Sequence, residues 1–216
     1  MSDIVRSAWV HAVTRRGGQI EKAVSSADDL LEQYAEPHRR YHTEQHIRAV
    51  LADSALLAEE LDLEIAEREV LDLAVCAHDV IYNGQAGEDE RASAAWARTH
   101  LIDAALSEDD AARVEMLILA TTNHEATGAD LLAEVLLDAD LAILGADEER
   151  YDGYVRAVRA EYAHVPDELW RVGRGDVLRG FVDRDVIYRT SGARRRWEAA
   201  ARNNLLREMS TLGGAR

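Results

Sequence analysis

Apolar side chains recur at helical spacing along nearly the whole chain. Ile4, Val5, Ala8, Trp9, Ala12 and Val13 fall close to an i, i+3, i+4, i+7 register and predict an amphipathic helix over residues 3–15, stopped by Gly17-Gly18. Ser26 with Asp29 has the spacing of a capping box in which Asp replaces Glu. It predicts a short helix through Leu30, Leu31 and Tyr34 that Pro37 ends. Thr43 is a suitable N-cap for a helix of about five turns carrying Ile47, Val50, Leu51, Ser54, Leu57, Ala58 and Leu61. Residues 65–82 are apolar on nearly every face in their second half, which predicts a central, buried helix. Asn83 to Gly87 reads as a loop, Glu88 to Leu101 as helix, and Ser107 with Asp110 as the cap of a helix running to about Thr121. A loop from Thr122 to Gly128 follows.

Leu131 to Leu144 is apolar with Glu134, Asp138 and Asp140 inserted, and Gly145 closes it. Asp147 to Tyr162 predicts a charged helix. Pro166 suits the first position of another, in which Gly173, Gly175 and Gly180 weaken the stretch between Trp170 and Phe181. A last helix is expected from Ala193 to Met209, before a frayed tail of Gly213-Gly214-Ala215-Arg216. Two prolines, abundant Ala, Leu, Glu, Asp and Arg, and few aromatics point the same way, so an all-α fold is expected. The 216 residues suit a single domain.

The formal charge of −16 disfavours duplex nucleic acid as a partner. The charge is uneven: from residue 151 onward thirteen arginines face nine acids, a net of +4, which leaves −20 for residues 1–150. The single cysteine, Cys76, lies in an apolar run and is expected to be a buried, inert thiol with no disulfide partner. Met1 to Arg6 lacks a basic segment followed by an apolar stretch, and no run approaches the roughly 20 apolar residues of a membrane span. The expectation is a cytoplasmic protein with no membrane partner. The tryptophans and the basic C-terminal helix offer a surface for a homo-oligomer.

Against this helical background a set of metal-type ligands stands out: His42 and His46, then His78-Asp79, then Asp138 and Asp140. Neutral imidazoles and ionised carboxylates bind divalent cations when several converge at about 2.0 to 2.2 Å from the ion. His42 and His46 are four residues apart and project from one side if Thr43 starts the helix. His78-Asp79 places an ionisable pair within an apolar helix, where an unpaired charge is costly and a cation or an arginine must compensate it. Asp138 and Asp140 repeat that problem in Leu136 to Leu144. His11, His38, His100 and His164 read as ordinary surface or core histidines.

The order His46, His78-Asp79, Asp140 resembles the H, HD, D pattern of the HD superfamily of metal-dependent phosphohydrolases, closest to its small predicted hydrolases without settled substrates. The likeness covers about Arg40 to Tyr162 and includes Arg40-Tyr41-His42, Ala77 to Tyr82, Glu90 with Ser93-Ala94, Thr121 to His124 and Asp138 to Gly145. It implies an all-helical bundle of the HD type over residues 1–216, with a metal-site core at about 40–162 and a helical extension at about 166–210. It also implies a cation held by His46, His78, Asp79 and Asp140, with Asp140 preferred to Asp138, and a place for Glu90 near the metal's water.

Tyr41 to His46 is also similar to the Tyr-His-Asn-x-x-His segment of cyclic-nucleotide phosphodiesterases, with Thr43 in place of Asn, and there the first His protonates the leaving group. The expected activity is hydrolysis of a phosphomonoester or phosphodiester, a nucleotide among the candidates, with Asp79 and His42 catalytic. The donors suit Mn, Fe, Co, Ni, Zn or, less readily, Mg. His124 is a candidate second-metal ligand, a candidate substrate contact or an ordinary loop histidine. Arg159, Arg39, Arg40 and Arg91 are candidate partners for a small phosphorylated substrate. An HD-fold di-iron oxygenase and a non-catalytic, metal-containing ligand-binding module are the competing readings.

Overall fold

The computed structural model describes residues 4–124 and 130–214. These form ten α-helices and one short 3-10 helix, with no strand among the described residues. The expected loop from Thr122 to Gly128 is described only as far as His124, and Ala215-Arg216 of the expected tail lie outside the described residues. The chain divides into two compact units between Ala139 and Asp140.

The first unit contains α1 (Ile4–Arg15), α2 (Ile20–Tyr34), α3 (Glu44–Glu60), α4 (Ile65–Ala77), α5 (Glu88–Asp103), α6 (Glu108–Ala120) and all but the last residue of α7 (Leu131–Asp140). Helix α4 packs against α1, α3, α5 and α6, and α1 also packs on α2. As its composition predicts, α4 is central: Leu73 to Ala77 are fully buried. Gly17 takes a φ of +87°, and a Cβ on Gly18 would stand 2.6 Å from side-chain atoms of Leu106 and Val13, so this turn needs its glycines.

Helix α2 starts at Ile20, well before the expected cap at Ser26. Ser26 sits inside the helix, where its hydroxyl bonds back to the carbonyls of Lys22 and Ala23 and accepts the indole N–H of the fully buried Trp9 at 2.8 Å. The serine satisfies a buried tryptophan rather than a helix start. The Ser107 cap behaves as expected, accepting from the Asp110 N–H.

Helix α4 also departs from expectation. It ends at Ala77 rather than near residue 82, so His78 and Asp79 stand at a helix terminus and not within a helix. A buried terminus leaves carbonyls that need donors, and here three of them have one. His78 Nδ1 takes the Val75 carbonyl at 2.9 Å, the Tyr34 hydroxyl takes that of Cys76 at 2.9 Å, and the Val80 N–H takes that of Ala77 at 3.2 Å.

Asp72 on the same helix is largely buried, and burial raises its carboxyl to about 6; His11 and Arg68 oppose the rise and Glu69 adds to it. The folded chain therefore holds this proton more tightly than the unfolded chain, and Asp72 costs stability as pH rises from about 4 through 6. Asp72→Asn is expected to stabilise the protein by about 2 kcal/mol at pH 7.5 and by almost nothing at pH 4. Denaturation curves at the two pH values check this, and an equal effect at both contradicts it.

The second unit contains the 3-10 helix (Leu141–Gly145), α8 (Glu148–Glu161), α9 (Asp167–Val182) and α10 (Ser191–Gly214). The 3-10 helix packs on α8 and α10, and α9 packs on α10. A Cβ on Gly145 would lie 2.5 Å from that of Trp197, which requires glycine at this crossing. Pro166 occupies the N-cap position, one residue before its expected place, and α9 runs unbroken through Gly173, Gly175 and Gly180. Arg174 and Leu178 anchor it from a buried face. Helix α10 starts two residues before Ala193 because the Thr190 hydroxyl accepts the Ala193 N–H at 3.2 Å, and it continues to Gly214.

Candidate metal centre

The end of α4 and the start of α3 build the site. His46 lies on the first turn of α3 and is buried, as is His78; their Nε2 atoms stand 3.3 Å apart. Asp79 Oδ2 completes a triangle, 3.4 Å from His46 Nε2 and 3.2 Å from His78 Nε2. A carbonyl can only accept, so the bond to Val75 places a proton on His78 Nδ1 and leaves the Nε2 lone pair of the neutral ring pointing into the triangle.

The fit to a cation follows from these lengths. The centre of a triangle with sides of 3.2, 3.3 and 3.4 Å is about 1.9 Å from each corner, so a point just above its plane lies at the 2.0 to 2.2 Å that Zn-like metals require. The Asp79 side chain keeps 19% exposure while those of His46 and His78 keep 3% and 1%, which opens the triangle to solvent on its carboxylate side.

Asp140 is the C-terminal residue of α7. One of its carboxylate oxygens belongs with a ring nitrogen each of His46 and His78 to a group whose atoms all lie within 4.8 Å of one another, close enough to hold a metal ion. Asp138, two residues earlier, is fully buried, and neither it nor Asp79, which meets only the two histidines in the triangle, is a member of that group.

Burial by itself pushes the Asp79 carboxyl up. The charge that His78 carries when protonated, the hydrogen bonds that His46 and His78 give in that form, and the charge at His42 outweigh that and hold it well below the ordinary carboxylate range. Asp79 is thus held as an anion, and a divalent cation would take the place of the ring protons that face it, leaving both Nε2 lone pairs to bind.

His42 stands beside the triangle, its ring centre 5.8 Å from that of His46. It stacks on Tyr82 at 4.1 Å and meets Tyr41 edge-on at 5.0 Å. Tyr82 and Ser93, which the sequence marks only as parts of the resembling segments, each have a local role here. Buried Ser93 accepts from the Ile81 N–H and donates to the Ile81 carbonyl, fixing the segment that follows Asp79.

The remaining candidates are placed otherwise. Glu90 accepts the Gly87 N–H at the start of α5, and Asp89 gathers the N–H groups of Asn83 and Gln85, so both acids organise the loop and helix start. His124 has a φ of +48° and is not a member of the His46, His78 and Asp140 group. In the second unit, Arg159 donates to the carbonyls of Tyr162 and Val165 and pairs with Asp167 at 2.6 Å, closing the end of α8. Arg40 donates to the carbonyls of Pro37 and Arg39.

Fold and donor set together define an all-helical protein with a histidine and carboxylate cluster close enough to hold a metal ion. No family model, no curated protein and no solved structure matches the chain. Among the described residues no helix is long and apolar enough to cross a membrane.

Proposed function

We propose that the chain is a metal-dependent phosphohydrolase of the HD type that cleaves a phosphomonoester or phosphodiester of a small substrate, nucleotides being the first class to test. The observation that carries this reading is the His46, His78 and Asp79 triangle with His42 stacked beside it.

His46 and His78 would hold the cation through Nε2, with Asp79 and Asp140 supplying oxygens. When bound, a divalent ion neutralises charge on a phosphoryl oxygen and lowers the pKa of water to about 7. Asp79, the most open member of the triangle, also orients the attacking water by accepting its hydrogen bond. His42 gives a proton to the departing alkoxide, its ring plane fixed by Tyr82. Glu90, His124 and Arg159 carry no step. A small anion attracted by a local cation fits a chain of net charge −16 better than a long polyanion does.

The test uses the full chain stripped with chelator, reloaded with Mn, Fe, Co, Ni, Zn or Mg, and offered nucleoside monophosphates, cyclic nucleotides and generic phosphoesters. Turnover that needs the metal is expected, and His42→Ala should lower kcat by about 10² to 10⁴ with metal content unchanged. A fully metal-loaded protein that turns over none of these substrates overturns the reading. Two irons per chain with an oxygen requirement would replace hydrolysis by oxidation.

A further inference from the structure

Arg39 is among the arginines nearest the ligands in sequence, and its charge suggests a phosphate partner. Its surroundings point elsewhere. The side chain is 0% exposed, and all five guanidinium N–H groups are accounted for. Nε donates to Glu36 Oε2 at 3.1 Å, and Nη2 reaches the same oxygen at 3.0 Å. Nη1 donates to the carbonyls of His42 at 3.1 Å and Asp79 at 2.7 Å, and Nη2 donates to that of Val80 at 2.8 Å. The rings of Tyr34 and Tyr82 lie 5.2 and 5.7 Å from the guanidinium carbon. No N–H remains for a substrate.

The three carbonyls belong to two separate segments. His42 leads directly into α3 and therefore into His46; Asp79 and Val80 follow the end of α4 and His78. These are the segments that supply the triangle. His38 Nε2 bonds the Tyr82 carbonyl at 2.7 Å and His42 stacks on the Tyr82 ring, so the same two stretches are laced at further points, with Arg39 at the centre.

We propose that Arg39 is a positioning residue of the candidate metal centre: its guanidinium joins the main chain at His42 to that at Asp79 and so sets the spacing of the ligand atoms. The proposal rests on the metal reading above. Lysine has three donors on a tetrahedral head and cannot span the two segments while pairing with Glu36. Methionine fills much of the volume and leaves three carbonyls without their donor.

The experiment titrates chelator-treated protein with Co²⁺, following its visible absorption, which reports both occupancy and coordination geometry. Wild type is measured first, and a wild type that takes up no Co²⁺ overturns the metal reading itself and this proposal with it. With wild type binding, Arg39→Met is expected to weaken Co²⁺ affinity by about 10- to 100-fold and to change the spectrum, at temperatures where circular dichroism shows it folded. Arg39→Lys, which keeps the charge, should fall between the two and decides the matter if the methionine variant does not fold.

Arg68→Met is the comparison. Arg68 also ties main chain, donating to the carbonyls of Leu63 and Ala58, but at the far end of α4. Its loss should lower thermal stability and leave Co²⁺ affinity within about twofold of wild type, as expected for a substitution with no shared partners at the site. A folded Arg39 variant with wild-type affinity and an unchanged spectrum overturns the positioning role. So does an Arg68 variant that loses affinity as much as Arg39→Met does.

Discussion

Asp79→Ala is expected to remove turnover, by about 10³-fold or more, and to lower the metal retained after dialysis. Several kcal/mol of transition-state stabilisation rest on a correctly held cation, and each 1.36 kcal/mol is tenfold in rate. Asp79 is the only anion in the triangle, it is the member most open to solvent, and its oxygen stands 3.4 and 3.2 Å from two imidazole nitrogens that are 3.3 Å apart. Asp79→Asn separates charge from shape, since it keeps an oxygen in place and loses the negative charge. It should retain some metal and lose most activity. The fold should survive both changes, because the main-chain carbonyl of Asp79 keeps its bond from Arg39 whatever the side chain is. Metal analysis and phosphoester assays on the two variants check this, and a rate unchanged in Asp79→Ala contradicts the proposed function.

Glu208→Ala should be among the most destabilising single substitutions in the second unit, by about 3 to 5 kcal/mol. Glu208 on α10 is buried and receives Arg174 of α9 through two bonds, Nε at 2.8 Å and Nη2 at 3.1 Å. It also accepts the hydroxyl of Tyr151 on α8, while Arg174 donates to Tyr154 on the same helix. One carboxylate thus ties three helices. Removing it leaves a buried guanidinium with no counter-charge and a buried phenol with no acceptor, which costs more than the pair itself contributed. Glu208→Gln keeps an acceptor and should cost less. Urea titration of the two variants measures the order, and an alanine variant as stable as wild type contradicts it.

The helical pattern was legible because amphipathic spacing repeats in almost every segment, and the starts of α3 and α6 and the body of α4 fall where that spacing puts them. What misled was a local motif whose residue had a distant use. Ser26 has the sequence environment of a cap, yet its hydroxyl serves Trp9 on another helix. The end of α4 was illegible for a similar reason: nothing in Ala77 to Tyr82 breaks a helix, and the stop depends on outside donors, Tyr34 and Arg39, that capture the freed carbonyls. Thr190 caps α10 from a position that hydrophobic spacing does not mark.

At the site, residue type identified His46, His78 and Asp79, because rare ionisable groups among apolar neighbours need a partner, and the structure brings these three together within 3.4 Å. The supports were harder to see. An arginine, a serine and a tyrosine serve there through main-chain bonds and stacking, which leave no signature in residue spacing. Arg39 in particular looks like an anion binder by its charge and acts on carbonyls by its geometry.

Cys76 has no exposed surface, and burial raises its thiol well above the usual range, so the chain carries no sulfhydryl that a maleimide or nitroxide reagent can reach under native conditions. Any cysteine introduced at the surface is therefore a unique attachment point on an otherwise natural background. Ile65, 66% exposed at the opening of α4, is about 20 Å along that helix from His78. A spin label there would register a paramagnetic ion such as Mn²⁺ at the far end of the same helix, which makes occupancy observable before any substrate is known.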